Sequence, residues 1–146
     1  MIAKPKSNLL PHEILKLVTK AKTTAAKVKV LQDNESFSLK TLIQGNFNPK
    51  IVLDIPEGAP PYKKDESPAG MQPARIDSSI KMLGNLLVGN PLPKVRKEML
   101  FIQLLEGIHA EDAELVIAMK DKKLTDICPT LTIKVAEKAF PTLFPA

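Results

Sequence analysis

The sequence contains no tryptophan, one tyrosine and one cysteine in 146 residues. With aromatics at only 4%, any core has to be aliphatic. A lone Cys128 cannot form an internal disulfide, so nothing argues for an oxidising compartment. No apolar run approaches the ~18–20 residues of a membrane span. The opening residues MIAKPKSNLLPHE lack the apolar stretch of a secretory signal. The expected setting is cytoplasmic, without membrane contact. Chemistry-bearing motifs are scarce as well. There is no Gly-rich phosphate loop, HExxH or Cys/His cluster, and no GxSxG elbow. Neither a metal nor a cofactor is expected. Arginine is nearly missing, with Arg75 and Arg96 the two in 21 basic residues. Lysine is a point charge suited to phosphate, whereas arginine is the usual bidentate reader of guanine.

What is present fits a globular domain. Hydrophobic residues make up 44% and charged residues 25%, close to the average for folded proteins. The net charge of +5 is uneven: residues 1–50 hold nine Lys against three acids, and residues 94–146 hold eight of each sign. Pro56, Pro60, Pro61, Pro68 and Pro73 crowd the middle. No helix survives that spacing. The sequence thus divides into an N-terminal helical pair over 8–45, an extended connector over 46–75 and a C-terminal helical bundle over 76–146.

Six helices are expected, making an all-α domain. Asn8 is placed to cap the first, with Pro11 in its first turn. Ile14, Leu17, Val18, Ala21, Ala25, Val28 and Leu31 continue it at helical period. Lys16, Lys20, Lys22 and Lys27 line its other faces, where they are solvated or contact a polyphosphate. Ser36 opens a second helix, closed by Gly45. Asp77 is expected to cap a third. A fourth presents Val95, Met99, Ile102 and Leu105. A fifth begins with Glu111, Asp112 and Glu114 and ends near Lys120, Lys122 and Lys123, a polarity that complements the helix dipole. A sixth runs from Thr130 through Ile133, Val135, Ala136 and Phe140. Lys50–Ile55 is the one strand-like stretch. His12 and His109 fall at helix starts and read as surface or capping residues. Tyr62, after Pro60-Pro61, packs the connector down or stacks on a base, with packing favoured, and Cys128 is a structural or incidental thiol.

Two stretches together resemble a known module: the helix over Ile14–Leu31 followed by SLKTLIQGNFNPKI, and GNPLPKVRKEMLFIQLLEGIHAEDAELVIAMKDKKL followed by TLTIKVAEKAFPTLFP. Their order and spacing are similar to the N-terminal DNA-binding domain of ATP-dependent DNA ligases, particularly those of T-even-like phages. Small tailed-phage proteins share the GNF-P and AFP segments. The resemblance covers nearly the whole chain at low identity. It implies an all-helical, phage-encoded module that grips duplex DNA by its backbone and minor groove, at the turn between the last two major helices. The matching positions are Lys120, Lys122, Lys123, Thr130, Thr132 and Lys134. A helix starting at Thr130 would also offer free N–H groups to a phosphate. Where the family has a glycine in this turn, Cys128-Pro129 stands here and removes one N–H.

The Lys-x-Asp-Gly motif that carries the nucleotide in ligases does not occur in this sequence. The expected protein is a stand-alone relative of the binding module: a non-catalytic, sequence-independent duplex DNA-binding protein. The alternative is a protein-interaction module that engages a replication, transcription or virion protein without touching DNA.

Overall fold

The computed structural model describes residues 8–144. Among them there are eight α-helices and no β-strand: α1 (Pro11–Lys20), α2 (Thr24–Asp33), α3 (Phe37–Phe47), α4 (Ile76–Ser79), α5 (Lys94–Gly107), α6 (Ala110–Lys120), α7 (Leu124–Ile127) and α8 (Ile133–Ala139). Ile80–Leu86 and Pro141–Leu143 form 3-10 helices. The all-α reading holds.

The long first helix does not. It breaks at Ala21, which is extended at ψ 134°, and restarts behind Thr23, whose hydroxyl accepts from Ala26 N at 3.1 Å. A Thr in front of Thr24-Ala25-Ala26 is a better N-cap than a helix interior residue, because its side chain competes for backbone N–H groups. The start of α1 is also shifted. Leu10 is its N-cap, and Glu13 reaches back to accept from Leu10 N at 2.9 Å, half of a capping box.

Helix α6 is central, packing against α1, α3, α5 and α7, while α2 lies on α1 and α8. The core is aliphatic, including Ile14, Leu42, Ile43, Leu105, Leu115, Val116 and Leu131, with Phe101 and Phe140 from the sparse aromatics. Ser36 caps α3 as expected, accepting from Leu39 N at 3.2 Å. Gly45 does not end that helix, which runs on to Phe47. It lies buried inside α3 because a Cβ there would come 2.4 Å from Met119 Sδ on α6. Asp77 is not the cap of α4 either. Its carboxylate accepts from Ser38 N at 2.9 Å, serving the first turn of α3 and tying the two halves of the chain together.

Two expected faces are corrected. On α5, Val95 and Met99 are exposed, and Phe101, Leu104, Leu105 and Lys97 are the buried residues. Lys97 is only 1% exposed. Its ammonium donates to Asp54 Oδ2 at 3.0 Å and to the Leu87 carbonyl at 3.1 Å, so a charged residue holds a place that hydrophobic periodicity gave to its neighbours. On α8, Ile133 is 43% exposed, while Val135, Ala136 and Ala139 are buried. The strand-like stretch makes a single antiparallel bridge, Leu53 to Leu87, with Asp54 N donating to Leu86 O at 2.7 Å and Val88 N to Val52 O at 3.0 Å.

The proline-rich connector is irregular but anchored. Tyr62 packs against the core. Gln72 Nε2 donates to Asp65 Oδ2 and to the Ser67 and Pro68 carbonyls at 3.0–3.1 Å. Ala74 N donates to Gly107 O at 2.9 Å.

Candidate nucleic-acid interface

The turn after α6 ends in a Schellman arrangement. Lys122 N donates to Met119 O at 3.0 Å and Lys123 N to Ala118 O at 2.7 Å. Lys122 has φ 61°, the left-handed conformation in which glycine is usual at this position. A lysine stands there because of what its side chain reaches. The Lys122 ammonium donates to the carbonyls of Gly45, Asn48 and Ile51, the Asn48 contact at 2.9 Å. Gly45 lies in the last turn of α3, whose carbonyls have no helical partners. Burial pushes the Lys122 amine below its ordinary value.

Lys120 is likewise turned inward. Its side chain is 1% exposed, donates to the Pro56 carbonyl at 2.9 Å and pairs with Asp121. Asp121 Oδ2 in turn accepts from Gly58 N at 3.0 Å. Lys123 is exposed and pairs with Glu57 Oε1 at 3.2 Å, which holds its amine above the usual range. These three lysines therefore fasten residues 45–58 to the end of α6.

The other expected contact residues lie beyond that turn. Thr130 sits with its hydroxyl 3.9 Å from the Cys128 thiol. Thr132, not Thr130, caps α8, accepting from Val135 N at 3.3 Å. The Val135 N–H is therefore occupied, and α8 is only seven residues long, so the phosphate-binding helix start expected at Thr130 is absent. Cys128 is buried, with Thr19 Oγ1 at 3.4 Å and Leu15 O at 3.7 Å. Lys134 is exposed on α8.

A second group of lysines has no carboxylate beside it among the described residues. From Ile14 to Gln32 there are five Lys and no acid. Lys16 pairs with Glu111, at 3.0 Å to Oε1, and holds that carboxyl below the usual range. Lys20, Lys22 and Lys29 are exposed, and Lys27 half-buried. None of these four makes an ion pair among the described residues. Lys134 and Lys138 add two more on α8, one turn apart, with Glu137 the one acid of that helix. Lys20, Lys27, Lys29, Lys134 and Lys138 lie on α1, α2 and α8, where α2 packs on both of the others, and Lys22 lies in the turn between α1 and α2. The signal was in the charge arithmetic; which lysines were free required the fold.

By its architecture the chain is a small all-helical protein, with no described helix long and apolar enough to cross a membrane. It belongs to a family described as "Family of unknown function (DUF6433)", whose pattern matches residues 14–126. No curated protein and no solved structure matches it.

Proposed function

We propose that this protein is a non-catalytic module that binds the phosphate backbone of duplex DNA without reading its sequence. The observation that carries the reading is the set of six lysines on α1, the α1–α2 turn, α2 and α8 that have no carboxylate partner among the described residues. Each is a mobile point charge of the kind that neutralises phosphates and releases counterions. The near-absence of arginine suits contact with the backbone rather than with base edges. The likeness of residues 14–51, and of 89–124 with 130–145, to the DNA-binding domain of ATP-dependent ligases supports the same partner. The missing Lys-x-Asp-Gly motif supports a role without nucleotide transfer, such as holding DNA during replication, repair or packaging.

On this reading the seat of DNA moves from the turn after α6 to the α1–α2–α8 face, because Lys120 and Lys122 are committed to backbone carbonyls. Lys134 belongs to both sets. The test is binding to two duplexes of unrelated sequence across a salt series. Similar affinity for both, with log K falling by about 0.9 per phosphate contact per unit of log salt, supports the proposal. Salt-independent binding, or none, rejects it.

A protein-interaction role is the second reading. Val95 and Met99 lie one turn apart on α5 and are 71% and 48% exposed, and Val88 is 62% exposed. Exposed apolar residues of this kind are what a protein partner would cover.

A further inference from the structure

The start of α6 meets the start of α1 at a group of side chains that DNA binding does not use. His12, His109 and Glu111 each bring one potential ligand atom to within 4.8 Å of the others. We propose that these three residues bind a divalent transition-metal ion of the zinc class, with Asp112 orienting His12.

Asp112 is fully buried. One of its oxygens accepts from both the His12 backbone N–H, at 2.9 Å, and the His12 ring Nδ1, at 2.8 Å. A carboxylate at Nδ1 fixes the proton there. It leaves the Nε2 lone pair as the free one, and Nε2 lies 3.5 Å from Glu111 Oε2. This is the carboxylate–histidine pairing that orients an imidazole toward a metal and raises its basicity. The second oxygen of Asp112 is buried with no protein hydrogen-bond partner. A carboxylate held this way is costly, and a cation bound to the far side of the imidazole offsets its charge. His12 and Glu111 line one cleft of about 340 Å3, and His109 and Asp112 line another. The cluster therefore forms a wall that solvent reaches.

Two contacts must rearrange. The His109 ring is stacked on His12, with centroids 4.1 Å apart and planes 19° apart. Near-parallel planes do not converge on one ion, so His109 turns its ring to coordinate. In doing so it releases the Glu111 N–H that its Nδ1 now accepts at 3.0 Å. Glu111 exchanges the Lys16 ammonium for the metal. Two imidazoles and a carboxylate leave a fourth position for water, the donor set of tetrahedral zinc rather than of magnesium or calcium.

The probe is Zn2+ itself, titrated calorimetrically into the full chain at pH 7, with Mg2+ as the control. One Zn2+ per chain and no Mg2+ binding are expected. Glu111→Gln is on an exposed side chain. His109→Asn can still cap α6 through its side-chain oxygen. Both variants are expected to fold, with circular dichroism as the check, and each is expected to weaken Zn2+ binding by about tenfold or more. Lys16→Met removes the competitor for Glu111 and strengthens binding. Cys128→Ser leaves it unchanged. Absence of Zn2+ binding to the wild-type chain overturns the proposal. So does Zn2+ affinity that survives both Glu111→Gln and His109→Asn, or that is lost with Cys128→Ser.

Discussion

The ammonium of Lys122 donates to the Asn48 carbonyl at 2.9 Å from a residue whose own φ is 61°. Backbone strain at the end of α6 and satisfaction of the α3 C-terminus are thus two halves of one device. Glycine would remove the strain, about 1 kcal/mol or more for a non-glycine residue in that region. It would also lose hydrogen bonds from a charged donor, each worth roughly 1.5–3 kcal/mol. Lys122→Met loses all three bonds and keeps the strain, and is expected to lower stability by at least about 1.5–3 kcal/mol, the worth of one such bond. Lys122→Gly is expected to cost about 1 kcal/mol less than Lys122→Met. Urea unfolding of the two variants checks the order; a glycine variant less stable than the methionine variant would contradict it.

The packing of Gly45 against Met119 predicts a second effect. Gly45→Ala gains about 1 kcal/mol of helix propensity. It also places a methyl 2.4 Å from Met119 Sδ, and overpacking of this kind costs typically 1–3 kcal/mol. The substitution is expected to be net destabilising at a site where helix propensity alone predicts the opposite. Met119→Ala in the same chain should relieve the clash, so the double mutant is more stable than the sum of the singles implies. A thermal-melt cycle with additive effects would rule out the contact.

The Ser36 cap and an irregular proline-rich connector, expected over 46–75 and found over 48–75, could be read from local chemistry, whereas Gly45 looked like a helix end and lies inside α3. The break at Ala21–Thr23 was hidden because the apolar period runs on across it. Lys97 was missed because periodicity counts a lysine as surface, and only the fold places Asp54 and the Leu87 carbonyl at its tip. Lys120, Lys122 and Lys123 are expected from sequence to complement the helix dipole and to contact duplex DNA, whereas Lys120 and Lys122 bond backbone carbonyls more than 60 residues away. The histidine–carboxylate cluster was illegible for the same reason, since Asp112 follows His12 by 100 positions and no short motif spans that gap.

Tyr62 provides a pH prediction. Burial, with the Glu114 carboxylate as the smaller cause, raises its phenol above the ordinary value of 10.0. Between that value and the raised one, the folded chain holds a proton that the unfolded chain has released. Stability from this group is fully present below about pH 10 and falls as pH rises through the raised value. Tyr62→Phe cannot ionise, so its stability should decline less steeply above that pH than the wild type's. Melting temperatures from pH 9 to 11 on both proteins measure it; parallel curves would show that Tyr62 is not the group responsible.

The two sets of lysines make the sharpest prediction because the structure gives them different work. Lys120, Lys122 and Lys123 fasten the connector, whereas Lys20, Lys22, Lys27 and Lys29 have no carboxylate partner among the described residues. Replacing the second set with Gln keeps helix propensity. Surface changes of this kind move stability within about 0.5 kcal/mol each. On the proposed α1–α2–α8 face these lysines neutralise phosphates. Their loss should weaken binding equally on every duplex and flatten the plot of log K against log salt by up to about 0.9 per lysine. Replacing Lys120, Lys122 and Lys123 with Gln should do the reverse: lower the melting temperature and leave the salt slope close to that of the wild type. Binding and melting are measured on both variants under the same conditions. If the Lys120/Lys122/Lys123 variant loses its salt slope while still folded, and the Lys20/Lys22/Lys27/Lys29 variant keeps it, DNA lies at the turn after α6 and the assignment to α1, α2 and α8 fails.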